Sequence, residues 1–552
     1  MNSTNPSTGD RFLVLHHPWS RVGLFLFFLL AGLWASWPAA RAFFVADDFG
    51  YIFKIRQIGA AAVWTIPSDR FVRPGVWFFY WLDYRLWGLN PTGYHLTNLI
   101  LHAVNALWVT LIAWELFRLV HPDQKPPWVP SAGAGLLFLL HPSHTEAVSW
   151  ISGRSDVIAT FWILPSLFYY LKYKRTSARR FLVGSASLYA LSLLSKESGV
   201  TYPFLILILD WSCRMWIPPA GYSRWNPVVY FAILAAYMGL RRLILNDWIG
   251  GYGFNIHARF DFAFLERNFY FLTARTLLPP MEYPIHGMIL RLGRLGLLLV
   301  FATLAGVGMA WWWNRRTRRR EFWGIHSRRL FLLIILLLMY LAALAPVLNL
   351  SIHLGSSLGE RLIYFPGVFI ILAGVFIVHW VSRWTWLKVL LLGILAVVYA
   401  NQLYQSNRHW ENAGRITRQI VHDLTRLEPA RRLFILNLPD TIGGAYVFRN
   451  GIKPALNLFG DSARLREIRV VAYQTLFELT DGVEIRQESA ETYEVKTASP
   501  RTYFLNRRIP PSDLAFFHVR DRDRFRFTVR FPNQTGEDRM AYYSRGSLRE
   551  IP

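Results

Sequence analysis

The 552-residue sequence has a single cysteine, Cys213, so no intrachain disulfide can form, whichever compartment holds its soluble parts. Acids are scarce: 35 Asp and Glu stand against 60 Lys and Arg, a formal net charge of +25. Such an imbalance raises nucleic-acid binding as a reading. The basic residues, however, cluster at the ends of apolar segments instead of lying along one amphipathic face, which fits topology and anionic headgroups better. The chain has no tandem repeat and no low-complexity stretch, which excludes a repeat array. Its first apolar run lacks a small-residue cleavage signature and is read as a retained helix.

What is abundant is apolar and aromatic surface. Hydrophobic residues make up 53% of the chain and aromatic residues 16%, with 24 Trp and a mean hydropathy of +0.24. This is the composition of a membrane protein. Apolar stretches near the ~20 residues needed to cross a bilayer recur through the first 400 positions. The expected spans are 22 to 40, 96 to 117, 130 to 147, 156 to 171, 181 to 195, 199 to 211, 226 to 244, 293 to 313, 330 to 348, 362 to 380 and 386 to 403. These give about eleven crossings.

The densest basic loops, KYKRTSARR at 172 to 180 and NRRTRRREFWGIHSRR at 314 to 329, are taken as cytoplasmic. With the N-terminus inside, the parity closes and everything after Tyr404 lies outside. Two long outer connections, 41–94 and 245–291, are rich in Trp, Tyr and Phe and predict amphipathic helices on the outer leaflet. Residues 1–404 thus form a membrane domain. From 405 to 552 the texture changes to short apolar runs such as RRLFILNLPD, REIRVVAYQTLFEL and RFRFTVRF. They predict an α+β or mainly β outer domain, in which TIGGAYVFRNGIKPAL is a glycine-marked turn leading into a short helix.

On this topology the polar residues collect at outer helix ends. Asp47 and Asp48 follow the first span. HPSHTEAVSWISGRSD brings His141, His144, Glu146, Arg154 and Asp156, SKES brings Lys196 and Glu197, and SIHLGSSLGERLIYFP brings His353, Glu360 and Arg361. Charged groups at a bilayer edge pair or line a cavity, so their one-sided accumulation predicts a polar outer pocket. A carboxylate able to deprotonate a hydroxyl, beside Arg and Lys able to hold a departing phosphate, suits group transfer from a lipid-linked donor. Read alone, adjacent acids at a helix end are solvated or paired with Arg41 or Lys54. His141 and His144 form only a half-site for a metal, with Pro142 between them.

The pieces FVADDF, RPGVWFFYWLDYRLWGLNPTGYHLTNLILHAVNALW, LLFLLHPSHTEAVSWISGRSDVIAT, LYALSLLSKESGVTYPFLILILDW and GERLIYFPGVF run from position 45 to about 370. In order and wording they resemble the type C (GT-C) membrane glycosyltransferases. The resemblance is strongest to the membrane half of the transmembrane and tetratricopeptide repeat O-mannosyltransferases and their bacterial relatives. The tetratricopeptide repeats are missing, and a different C-terminal domain stands in their place.

The resemblance implies an inverting transfer of a mannose-type hexose from a polyprenyl or dolichyl phosphate to a hydroxyl on the outer side, with an acid of the first outer loop at the acceptor. That acid corresponds to Asp47 or Asp48, with Asp47 favoured. Arg361, Arg154 and Lys196 are the expected phosphate ligands. His141, His144, Glu146, Asp156, Glu197, His353 and Glu360 are expected to shape the pocket. No metal site and no required cofactor are expected, although a divalent cation remains compatible. The expected partners are the polyprenyl-phosphate sugar, membrane lipids and an acceptor protein, glycan or lipid, and not nucleic acid. The expected location is a bacterial inner membrane, with the site and C-terminal domain facing the periplasm. The rival reading is a transporter or flippase of lipid-linked sugars, for which polar groups at the bilayer midplane between broken helices are the usual sign.

Overall fold

The computed structural model describes residues 18–65, 71–121, 124–216, 225–248, 251, 261–278, 325–350, 357–460, 465–507, 509–532 and 535–551. Helices occupy the expected spans apart from 293 to 313, which lies outside the described residues. Four described helices are long and apolar enough to cross a bilayer: Pro91–Val120, Val228–Leu245, Arg328–Val347 and Thr385–Arg426. Shorter apolar helices occupy Trp19–Ala35, Trp128–Leu139 and Gly367–Val381. The chain is thus a polytopic α-helical bundle carrying a C-terminal domain of largely β structure.

One expected span ends early. The helix Trp128–Leu139 stops before His141, which takes an extended conformation (φ −61°, ψ 122°). Pro142 explains this, because its ring clashes with a helical residue before it and it has no N–H to continue the ladder. The chain then folds through short turns to the helix Arg154–Thr176, and so presents Glu146, Trp150 and Ser152 on a compact corner.

Among the described residues the 41–94 connection holds the α-helices Asp48–Ile58 and Pro74–Trp87, with a 3-10 turn over Gly59–Trp64 between them. The second buries Val76, Trp77, Tyr80 and Asp83, so it packs inward on the bundle as well as offering apolar side chains such as Phe78 and Leu86 outward.

The helix Thr385–Arg426 runs 42 residues, about 63 Å at 1.5 Å per residue. Its apolar first half belongs to the bundle, and its polar second half continues past position 404 to lie under the C-terminal sheet. There Trp410, Ala413, Ile416, Ile420 and Leu424 recur at helical spacing and are buried. In the sheet, β1 (Ala430–Ile442) lies between β3 (Leu465–Leu476) and β9 (Asp538–Ser544), parallel to both. Antiparallel β10 (Ser547–Ile551) and β6 (Tyr503–Phe504) flank them.

Side chains alternate along β1. Leu433 and Ile435 join the core shared with the helices, while Phe434 and Leu436 face a second core with Val495, Phe527 and Val529. That second core belongs to a four-stranded antiparallel sheet of β4 (Val483–Ser489), β5 (Thr492–Thr497), β8 (Arg526–Arg530) and β7 (His518–Arg520). Burial on both faces explains why β1 reads as an almost unbroken apolar run.

The glycine-marked turn is present: Gly443 and Gly444 take positive φ (54° and 91°), β2 (Ala445–Tyr446) returns against β1, and a helix follows over Ile452–Phe459. This hairpin projects toward the 41–94 connection. Phe49 stacks on Phe448, with ring centroids 5.7 Å apart, and meets Phe459 edge-on at 6.3 Å. Phe43 packs on Phe459 at 5.1 Å. Each such pair contributes about 0.5–1.5 kcal/mol beyond its buried area. The C-terminal domain is therefore fastened to the bundle by an aromatic cluster beside the Asp47–Asp48 pair.

Candidate active site

Asp47 is the residue preceding the helix Asp48–Ile58, and Asp48 is its first residue. Successive helical residues point about 100° apart, so the two carboxylates diverge. Asp48 turns inward and is fully buried. It accepts hydrogen bonds from the Val45 N–H (3.0 Å), the Ser152 N–H (2.9 Å) and the Ser152 hydroxyl. Burial pushes its carboxyl up to about 7, against the Ser152 and Val45 bonds that favour the charged form. Asp47 turns outward into a cavity and accepts a hydrogen bond from the Asn450 side chain, 403 positions along the chain.

The cavity has a volume of about 570 Å³. Among the described residues that line it are four cations, Lys54, Arg73, Arg361 and Arg449, and one acid, Asp47. Tyr51, Trp77, Trp150 and Tyr446 supply aromatic wall.

Three of the four cations, Arg361, Arg73 and Arg449, are held by acids behind the wall. Glu146 accepts from the Arg361 backbone N–H (3.0 Å), from Arg361 Nη1 (3.1 Å) and from the Tyr446 hydroxyl (3.0 Å). The Arg361 guanidinium lies over Trp150, 5.0 Å from the ring centroid, and remains 19% exposed. Burial, reinforced by Glu146, pushes the Tyr446 phenol up, so it stays protonated and donates.

Arg73 bonds Glu197 through Nε (3.1 Å) and Nη2 (2.6 Å), and Arg241 reaches the other oxygen of Glu197 at 3.2 Å. Burial alone raises a carboxyl, but the Arg73 guanidinium and its hydrogen bonds outweigh it and hold Glu197 low. Two guanidiniums thus share the Glu197 carboxylate. Arg449 repeats the arrangement, since it shares Asp440 with Arg507. Lys54 has no ion-pair partner among the described residues. A low-dielectric recess with surplus fixed cations binds anions, and Arg suits phosphate oxygens best.

Arg361 and Asp47 therefore share the cavity, with Glu146 directly behind. Arg154 and Lys196 do not line it. Arg154 is 0% exposed and bonds Asp83 (2.6 Å), the Tyr94 carbonyl (3.2 Å) and the Ile151 carbonyl (3.1 Å). Lys196 is paired with buried Asp156. Glu360 pairs with Arg275 and accepts from Thr145 (2.9 Å).

His141 uses Nε2 on the Thr276 carbonyl (3.0 Å) and accepts the Ser143 N–H at Nδ1 (3.3 Å), which fixes a neutral tautomer. Burial pushes it down to about 4 and pushes the His144 imidazole well below its ordinary value too. These histidines fill the corner below the site. No group of three metal-ligating side chains is placed together among the described residues. His353 lies outside the described residues.

The cavity residues Lys54, Arg73, Arg449 and Asn450 are additions that sequence reasoning did not single out. Arg73 opens the aromatic motif RPGVWFFYWLDY, and Arg449 and Asn450 sit in the glycine-marked turn. The signal was the position of that turn, a polar tip between the Gly443–Gly444 pair and Gly451.

No family model matches the chain. The chain is similar to the human protein O-mannosyl-transferase TMTC2, with 38% identity over 148 residues, 26% of this chain and 17% of the relative. It is similar to the Caenorhabditis elegans protein O-mannosyl-transferase F38B6.6, with 30% identity over 207 residues, 37% and 27% of the two chains. It is also similar to mouse protein O-mannosyl-transferase TMTC3, with 33% identity over 182 residues, 30% and 19%. The chain thus spans less than a third of these relatives' length. Over the matched stretch it is related to the TMTC O-mannosyl-transferases, as its motifs implied. Among solved structures, ArnT from Cupriavidus metallidurans bound to undecaprenyl phosphate aligns over 93% of this chain and 98% of its own, with a TM-score of 0.40 and 15% identity.

Proposed function

We propose that the chain is a GT-C-type membrane glycosyltransferase with about eleven crossings. It moves a monosaccharide, a mannose-type hexose, from a polyprenyl phosphate carrier to a hydroxyl acceptor. The site and C-terminal domain face the outside of a bacterial plasma membrane. The observation that carries this reading is the convergence of Asp47 with Lys54, Arg73, Arg361 and Arg449 on one cavity. Relationship to the TMTC O-mannosyl-transferases supports the same class of chemistry.

In this reading the acceptor oxygen attacks the anomeric carbon from the face opposite the phosphate. One C–O bond forms and the bond to the phosphate oxygen breaks with inversion, its electron pair leaving on the carrier phosphate. Asp47 takes the hydroxyl proton. Arg361, Arg73, Lys54 and Arg449 stabilise the negative charge that grows on the departing monophosphate. Asp48 holds the turn that aims its neighbour, and Arg154 and Lys196 act by fixing the helix ends behind the wall.

With that many fixed cations the leaving group needs no metal, so transfer is expected to persist in EDTA. The test is reconstitution with a polyprenyl-phosphate hexose and a panel of peptide, glycan and lipid acceptors. Sugar appearing on an acceptor, with matching release of polyprenyl monophosphate, supports transfer. Movement of the carrier across the bilayer with no sugar transferred overturns it in favour of a flippase.

A further inference from the structure

The C-terminal domain does more than sit above the bundle. Its 446–451 segment forms part of the cavity wall, and four contacts tie that segment to the loop bearing Asp47 and to the helix corner beside it. The Ala46 N–H donates to the Val447 carbonyl at 2.8 Å. Phe448 stacks on Phe49. The Tyr446 hydroxyl donates to the same Glu146 that holds Arg361. Asn450 donates to Asp47 Oδ1. Gly451 sits so close that a Cβ there would lie 2.3 Å from the Ala46 carbonyl oxygen. The same six residues also carry Arg449, which faces the cavity with its guanidinium over the Tyr446 ring, 4.5 Å from the centroid.

We infer that the outer domain is half of the transfer site: Asn450 is a positioning residue for the Asp47 carboxylate, and Arg449 is a ligand for the carrier phosphate. This inference rests on the proposed transferase reading. The Asn450 amide occupies one oxygen of Asp47 and leaves the other for the acceptor hydroxyl, so the base is aimed by a group from the opposite domain. Arg449 shares its acid, Asp440, with Arg507, so positive charge is left over for an anionic ligand.

The experiment uses the full chain with Arg449→Ala, Asn450→Ala and a control, Arg530→Ala, on the far sheet. Binding of undecaprenyl monophosphate in detergent is expected to weaken about tenfold in Arg449→Ala and to stay within about twofold in the other two. In transfer, Asn450→Ala is expected to lower kcat at least about tenfold with donor KM within about twofold, a split that mere loss of packing does not produce. Asn450→Leu, similar in volume and without a hydrogen-bond donor, reports the same split should the alanine variant fail to fold.

Unchanged binding in Arg449→Ala together with unchanged kcat in Asn450→Ala overturns the inference while wild-type transfer leaves the proposed function standing. A wild-type chain that binds the carrier through Arg449 and transfers no sugar supports the phosphate ligand and overturns the transferase reading instead.

Discussion

Asp48 accepts hydrogen bonds from both the backbone N–H and the hydroxyl of Ser152, 104 positions away, and that junction fixes the 41–94 connection against the corner before the helix Arg154–Thr176. Tyr80 meets the same hydroxyl at 2.8 Å. Three separate segments are thereby clamped around a buried carboxyl, and the direction of Asp47 follows from the clamp.

The clamp has a pH signature. The Asp48 carboxyl lies near 7 in the folded chain and near 3.8 when free. A raised value means that folding favours the protonated form. The associated stability is fully present below about 3.8 and is lost as pH rises through about 7. Asp48→Asn cannot ionise. Thermal unfolding in detergent at pH 5 and pH 8 is therefore expected to show the native chain losing ground relative to the Asn variant at the higher pH. An equal difference at both pH values would refute the assignment.

Asp47→Asn is expected to leave the melting temperature unchanged and to lower transfer by about 10²–10⁴-fold, the usual contribution of a positioned general base. Hexose transferred per hour from a labelled donor reads this directly. Full activity in Asp47→Asn would move the base elsewhere.

Arg154 and Asp83 are both 0% exposed. Removing the cation leaves an unpaired buried carboxylate, at a cost of about 3–5 kcal/mol. Arg154→Met is therefore expected to collapse expression of monodisperse protein on size exclusion. The double variant Arg154→Met with Asp83→Leu is expected to recover much of it. A single variant as stable as wild type would show that the pair has another partner.

Gly451 has φ 84° and lies against the Ala46 carbonyl. In Gly451→Ala the left-handed backbone alone costs about 1–2 kcal/mol, and the clash pushes the C-terminal domain away from Asp47. Transfer is expected to fall more steeply than melting temperature. Equal, small effects on both would mean that the domain contact is dispensable.

Much of the architecture was legible because it is local. Spans follow from length and hydropathy, and Pro142 marks where one of them breaks. The strands of the C-terminal domain follow from alternation, and the glycines at 443, 444 and 451 mark a turn whatever surrounds it. The cluster of acids and cations at helix ends was equally visible, since bilayers tolerate such groups only for a reason.

What the linear chain determined was the inventory: a multi-helix membrane body, a β-rich C-terminal domain, and acids and guanidiniums at helix ends. Which of them meet was decided only by packing. Asp47 faces the cavity and Asp48 the core because a helix begins between them and turns each side chain its own way. Arg154 and Lys196 are consumed by buried acids, whereas Arg361, Arg73 and Arg449 keep a face toward the cavity. Charge of the right sign can be read from residue type. Whether a guanidinium is spent on its neighbour or left over for a ligand depends on partners dozens to hundreds of positions away, and those distances exist only once the chain has folded.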